Sequence, residues 1–457
     1  MRLFRQGVTY YEDLRKQTNL PILTTFLVTQ KVYVVNSPEL ISQIHRQGKR
    51  VDGTLPFLYV VCGKFFGMHG EDLAGLMRNA TTINSLRYDL KTMEHTALEV
   101  GTASSIEIYR NICCELADIL NNVASQGPEK VSLQRWLQKT FTLATGRGIF
   151  GRGNPLDRSE DLVDCVWAME NGLKELTMLP FQSITARKAV AARERLVQAF
   201  MNDNVGDFTT SDGAPILLFR KFNSLANHHG VTAEFRARYA VGIFTGFVIN
   251  TMPAAFWIIS LLLENKDLAE RIRLEVRDVV TIVGPDEFTL DPASLRVQCR
   301  LLHSTCREVL RYISSSISSF LVNDNIHLDD GLILKKGALI QIAATAIHPN
   351  TAIWGPTATK LDPERFLRQE KVHPSANRVF GGGSSMCPGR HLALDELLTF
   401  TAMFALSFAI SRSPISTPFP GQKRGSMLSV KKPDSDVQIH IARRADNSMR
   451  WKFSDAS

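Results

Sequence analysis

Between Arg238 and Glu264 the chain runs for twenty-five residues without a charged side chain, YAVGIFTGFVINTMPAAFWIISLLL. In water, a helix that is apolar all round must be buried on every side. In a bilayer, the same length would suffice for a span. Two properties of the run point to a protein core. Thr245, Asn250 and Thr251, together with Gly242, Gly246 and Pro253, interrupt its middle. It also lies mid-chain, with long amphipathic segments on both sides. The run predicts one long helix over 232–263 at the centre of a large protein.

Such a helix needs much chain around it, and 457 residues with 44% apolar and 21% charged side chains supply it. That usage excludes intrinsic disorder, collagen and coiled coil as the main character of the chain. No internal repeat and no Pro/Gly/Ser-rich linker divides the sequence, so it reads as one domain over 1–457, with an ordered core over about 20–445. Seven cysteines, sparse and odd in number, argue for a reducing compartment and against a disulfide framework. No cysteine pair has zinc-ligand spacing. The formal net charge of +8 comes with no RNA-binding, zinc-finger or phosphate-loop signature. Nucleic acid is therefore a poor candidate partner, and the charge reads either as a mildly basic soluble surface or as a match for an acidic protein or an anionic membrane. The start, MRLFRQGVTYYEDLRKQ, holds no apolar stretch and reads as neither signal peptide nor anchor.

Local patterns give mostly helix. Residues 22–36 alternate and are β-branched, which predicts two strands joined at Thr29-Gln30-Lys31. Ser37 then caps a helix opened by Pro38. Amphipathic helices are predicted over 104–126, 159–176, 185–206, 264–282 and 297–312. Gly206–Gly213 reads as a polar loop. Short strands follow over 318–345, turning at Lys335-Lys336-Gly337, and a loop-rich stretch over 346–387 leads to a last helix over 388–410. The fold class is mainly α with small sheets.

Chemistry concentrates in Phe380–Arg390, FGGGSSMCPGR. Cys387 follows a glycine-rich hairpin and precedes a helix for which Pro388 fits the first position. A helix N-terminus favours the thiolate. The glycines allow a tight turn and a close approach of backbone to a large flat ligand. A lone cysteine after such a loop is more often structural, so other features must support it. Glu308 and Arg311 are three residues apart and share a helix face. Asp362-Pro363-Glu364-Arg365-Phe366 brings a second arginine, which could bridge to Glu308 as a buried Glu–Arg–Arg lock.

With these residues the sequence resembles the cytochrome P450 family of haem-thiolate monooxygenases. The family's Phe-x-x-Gly-x-x-x-Cys-x-Gly loop matches Phe380, Gly383, Cys387 and Gly389; its Glu-x-x-Arg matches Glu308 and Arg311; its Pro-Glu-Arg-Phe matches Pro363–Phe366. His348 and Trp354-Gly355 also look family-like, and the apolar helix lies where the family's distal helix belongs. The resemblance runs from about residue 20 to the end. It implies a helical fold enclosing haem b, with Cys387 as the iron ligand. A thiolate ligand pushes electron density onto the iron and favours O–O cleavage. It also implies a hydrophobic substrate, terpenoid- or steroid-like, and electrons from a separate reductase of the NADPH-cytochrome P450 reductase type. If the native protein has an anchor, the resemblance implies the cytosolic face of the endoplasmic reticulum; the chain as given would be soluble and cytoplasmic.

Departures from the family pattern matter as much. Ile249 stands where the distal helix usually has an acid, and Asn250 where it has a threonine. Asn250 and the adjacent Thr251 are the candidate catalytic residues. The segment Asn250–Trp257 is similar to the sterol 7α-hydroxylase and prostacyclin synthase branch, which contains an oxygenase and an isomerase. The resemblance therefore leaves three functions: a monooxygenase, a haem-thiolate isomerase that needs neither oxygen nor reductase, and a non-catalytic haem binder. Ser385 replaces an arginine that commonly holds a haem propionate, so Arg378 and Lys91 become the candidate propionate partners. Residues 53–68 are too irregular to read, and Ser314–Ser316, Ser318 and Ser319 suggest a polar corner.

Overall fold

The structure, a computed structural model, describes residues 3, 6–27, 29–203, 216–368, 372–412, 419–425, 429–445 and 449–453. The expected loop over Gly206–Gly213 lies outside the described residues. Helix dominates, as the patterning requires.

The central helix runs from Ala233 to Glu264 and is capped by Thr232, whose Oγ1 accepts from the Phe235 N–H at 2.9 Å. Most of its side chains are buried, among them Phe244, Phe256, Trp257 and Ile258. The helix is long and apolar enough to cross a membrane, but its most apolar stretch is largely buried within the protein. Helices Ala103–Ser125, Leu133–Phe150 and Arg390–Ser407 stack successively around it, and the large apolar cluster spans all four.

Strands β1 (Ile22–Leu27), β2 (Gln30–Val35), β3 (Val51–Asp52), β4 (Ile317–Val322) and β5 (Leu339–Ala343) form one sheet in the order β1-β2-β5-β4-β3. The β1–β2 hairpin pairs Leu27 with Gln30, while β5 runs parallel to β2 and antiparallel to β4. On β4 the pleat buries Ser318, Phe320 and Val322 on one face. Ser37 caps Pro38–His45 as expected, accepting from the Leu40 N–H at 3.2 Å. A second sheet joins Phe408–Arg412, Gln438–Arg443 and Glu129–Ser132.

Several expected helix bounds shift for identifiable reasons. The helix over 159–176 breaks at Gly172 into Glu160–Asn171 and Leu173–Met178. A side chain at Gly172 would run into the Ala189 methyl on helix Arg187–Asn202, so the glycine marks a close crossing rather than mere helix. The helix over 264–282 starts only at Lys266, behind its cap Asn265, and ends at Arg277; Thr281–Gly284 is a strand. The helix over 297–312 runs from Arg300 to Ile313, and Val297 instead ends a separate short helix, Pro292–Val297. The last helix is Arg390–Ser407, because Phe408–Arg412 joins the second sheet. Pro388 therefore precedes that helix by two residues instead of opening it.

Candidate active site

The site has three parts: a buried charge cluster, the cysteine loop that it supports, and an open strip on the central helix. Glu308 and Arg311 lie one turn apart on helix Arg300–Ile313, and Arg365 lies within the loop-rich segment. All three are at most 1% exposed. Arg311 grips both Glu308 oxygens, Nη2 to Oε1 at 2.7 Å and Nε to Oε2 at 2.8 Å. Arg365 Nε donates to Oε2 at 3.0 Å, and the Asp362 N–H reaches Oε1 at 3.0 Å. The remaining guanidinium donors go to main-chain carbonyls: His348, Ala358 and Lys360 for Arg311, Trp354 and Thr357 for Arg365.

His348 carries this cluster to the cysteine loop. Its Nδ1 lies 2.8 Å from the Arg311 carbonyl, which can only accept, so Nδ1 is the protonated nitrogen. Nε2 then accepts from the Arg378 N–H at 2.9 Å. Accepting at Nε2 requires the neutral ring. Burial, with Arg311 beside it, pushes His348 down to about 3. Arg378, 2% exposed, is further held by Ser318 Oγ, which accepts from Nη2 at 3.0 Å, and by Ser316 Oγ, which donates to its carbonyl at 2.5 Å. Two of the serines read as a polar corner therefore seat this arginine.

The loop closes through the Cys387 N–H, which donates to the Phe380 carbonyl at 2.9 Å. Gly381 and Gly383 take positive φ, 73° and 61°. The observed close approach to these glycines is made by side chains. A Cβ at Gly382 would collide with the Arg378 guanidinium, and one at Gly383 would lie 2.6 Å from the His45 ring. Arg378 Nε and His45 Nε2 are both buried without a hydrogen-bond partner among the described residues. Burial brings Arg378 down to about 10, so it stays charged, and His45 down to about 4, so it stays neutral. Lys91 reaches the same loop, with Nζ 3.4 Å from the Ser384 carbonyl.

Cys387 is exposed as a residue, yet burial is the largest influence on its thiol and pushes it up. The two observations agree for a group that borders an internal opening. The Gly389 N–H and the Arg390 charge act in the opposite direction. The expected helix-terminus stabilisation is thus reduced to these two contributions, because the helix begins three residues after Cys387.

The central helix shows a matching anomaly. In its buried length, Ile243, Phe247 and Asn250 are only half-buried, and Gly246 is exposed with nothing within 4 Å of an added Cβ. Spacings of three and four place them on one strip. Asn250 Oδ1 is buried without a hydrogen-bond partner among the described residues. Pro253 has no N–H to give the Ile249 carbonyl, which weakens the helix beside Asn250. Thr251 stands apart from Asn250: it is buried off the strip, and its hydroxyl donates to the Phe247 carbonyl at 2.7 Å. Adjacent positions on a helix point about 100° apart, so Thr251 and Asn250 face different sides of it. Sequence reasoning missed His45, which comes from the short helix Pro38–His45. Its only signal was a histidine at a helix end.

Comparison with known proteins agrees with this architecture. The cytochrome P450 family model matches residues 5–438, so the chain belongs to the cytochrome P450 family. A cytochrome P450 monooxygenase of Gibberella zeae is 26% identical over 474 residues, covering 99% of this chain and 88% of that protein. The cytochrome P450 monooxygenase nodJ of Hypoxylon pulicicidum is 27% identical over 472 residues, covering 98% and 88%. The solved structure of retinoic acid-bound cyanobacterial CYP120A1 matches with a TM-score of 0.72 at 16% identity, over 97% of this chain and 96% of that one. The fold is that of the family, and the chain is a cytochrome P450 monooxygenase. The family implies a haem-thiolate cofactor, a hydrophobic substrate and a redox partner.

The residues present fit such a cofactor. An open cysteine, a charged Arg378 with an unused Nε and a neutral His45 with an unused Nε2 suit a thiolate-ligated group bearing carboxylates.

Two outcomes are expected. Glu308→Ala leaves two buried guanidiniums without their carboxylate and should cost about 3–5 kcal/mol, read by chemical denaturation. Acid should act through His348. Its folded value of about 3 lies below the ordinary 6.5, so its contribution is complete above pH 6.5 and is lost as pH falls. At pH 5 the loss should be about 2 kcal/mol, because the unfolded ring binds a proton there while the folded ring stays neutral and keeps its bond to the Arg378 N–H. Urea titrations at pH 7.5 and 5 on wild type and His348→Gln check it, the variant showing the smaller pH dependence.

Proposed function

We propose that this protein uses haem b, ligated by Cys387, to insert one oxygen atom of dioxygen into a hydrophobic small molecule of terpenoid or steroid type. The observation that carries the reading is the combination of an open Cys387 with an open strip on an otherwise buried apolar helix. Haem when bound supplies the reductive activation of dioxygen. The chain's own residues do the rest. Gly389 N–H and Arg390 temper the Cys387 sulfur. Arg378 and His45 hold the cofactor's carboxylates, with Lys91 beside Ser384 as a further cation. The Glu308, Arg311 and Arg365 cluster keeps that seat in place through His348. Ile243, Gly246 and Phe247 present an apolar wall to substrate, and Asn250 holds a water or a substrate hydroxyl at Oδ1 as the proton source. The whole chain works as one domain.

Electrons come from a separate NADPH-dependent reductase, and the net charge of +8 suits an acidic partner surface. Phe181 and Ile184, 76% and 79% exposed, and Phe26 on β1 support contact with a membrane, on the cytosolic face of the endoplasmic reticulum.

The reduced carbon monoxide spectrum tests the ligand. Wild type should show the red-shifted band of a thiolate haem, and Cys387→Ser should lose it; a band that survives the substitution overturns the assignment. Asn250→Leu should raise peroxide formed per NADPH consumed and slow oxygen insertion by roughly 2–4 kcal/mol of barrier, by analogy with loss of an oxyanion donor. Unchanged coupling in Asn250→Leu would remove Asn250 from the reaction.

A further inference from the structure

Arg193 and Arg238 are buried outside this site. Arg193 sits on helix Arg187–Asn202 and Arg238 near the start of the central helix, and they are 6% and 5% exposed. One carboxylate joins them. Glu194 accepts from Arg193 Nε through Oε1 at 2.8 Å and from Arg238 Nη2 through Oε2 at 2.6 Å. Arg238 Nε also donates to Glu234 at 2.8 Å.

Further donors of both guanidiniums converge on three consecutive carbonyls. Arg193 Nη1 reaches those of Lys64 and Phe65 at 3.0 and 3.3 Å, and Arg238 Nη1 reaches that of Phe66 at 3.1 Å. Gln182 Nε2 adds a bond to the Lys64 carbonyl at 3.0 Å. These carbonyls end the segment Leu58–Phe65, a π-helix, the very stretch whose sequence defied reading. The last carbonyls of any helix lack intrahelical donors, and π geometry is rare without outside support. The chain then turns at Gly67, φ 73°, where a Cβ would lie 2.5 Å from the Arg193 guanidinium carbon.

The clamped segment touches the central helix at one telling point. Phe66 presses its ring on Gly242, so closely that a Cβ there would lie 2.6 Å from it. Gly242 is one turn before Gly246 and so continues the strip that leads to Asn250. Where the Phe66 ring sits therefore decides where that strip ends.

We propose that Arg193, Glu194 and Arg238 are positioning residues for the oxidation: by clamping the carbonyls of residues 64–66 they hold Phe66 against Gly242 and fix one wall of the substrate chamber. The proposal rests on the reading of the strip as the substrate side of the site. Loosening the clamp changes the fit of bulky ligands and leaves the Cys387 end alone.

The test uses the holoenzyme with imidazole and 4-phenylimidazole as probes, because the first needs little room and the second needs a shaped chamber. In Arg238→Met, 4-phenylimidazole affinity should change about tenfold, the scale of one charge-assisted hydrogen bond, while imidazole affinity and the carbon monoxide band hold. Amides 58–67 should exchange hydrogen faster by a similar factor. Gly242→Ala should shift 4-phenylimidazole affinity in the same selective way with the arginines untouched. If Arg238→Met yields no folded holoenzyme, Glu194→Gln replaces it, with the same selective shift expected. Unchanged 4-phenylimidazole affinity in the clamp variant overturns the proposal, as does an equal loss for both probes. Absence of a thiolate band in wild type would instead sink the functional reading, whatever the exchange rates show.

Discussion

A carboxylate with no access to water is held between two guanidiniums at Glu308. Desolvating three charges is costly, and the Coulomb attraction alone does not guarantee a net gain. What makes the arrangement tolerable is that the donors left over from Glu308 find the carbonyls of His348, Trp354, Thr357, Ala358 and Lys360. These carbonyls belong to a loop-rich stretch with little regular structure of its own. The cluster thereby substitutes for a sheet or helix ladder, giving main-chain groups the partners they must have when buried. Helix Arg300–Ile313 provides the rigid side, and the loops are fitted to it.

From there the order passes to the cysteine loop by two hydrogen bonds of one ring. His348 couples the Arg311 carbonyl to the Arg378 amide, so the geometry of the lock is transmitted to the loop without any charge in between. The serines on either side of β4's start then fix the guanidinium end. Alternation along β4 puts Ser318 on the buried face with Phe320, which is why a hydroxyl is available there at all. The result is a cation aimed inward beside His45, in a loop whose glycines leave no room for any other side chain.

Much of this was legible in the sequence, for a physical reason. The long helix, the cysteine loop and the Glu308/Arg311 pair are local patterns, each set by spacing along the chain. Mainly helical architecture and family membership follow from them. The seat of Arg378 was only half legible, because Ser316, Ser318, His45 and His348 converge from three separate segments. The π-helix at Leu58–Phe65 was illegible: its carbonyls are held by Arg193 and Arg238, more than a hundred residues away. Gly172 misled because a glycine inside an amphipathic pattern is tolerated, and only the neighbouring Ala189 reveals why it is there. The environment of Thr251 was not legible either: one residue from Asn250 in sequence, it faces a different side of the helix and its hydroxyl donates to the Phe247 carbonyl.

The neutral ring of His348 has one more consequence. Because its two nitrogens hold the Arg311 carbonyl and the Arg378 amide within the polypeptide itself, the proposed receptor for the cofactor's carboxylates is assembled by folding. The conformational entropy of ordering that loop is lost when the chain folds and not when the cofactor arrives. Capture is then a docking event onto a shaped cradle, and whatever affinity the contacts generate is available for retention rather than for organising the loop.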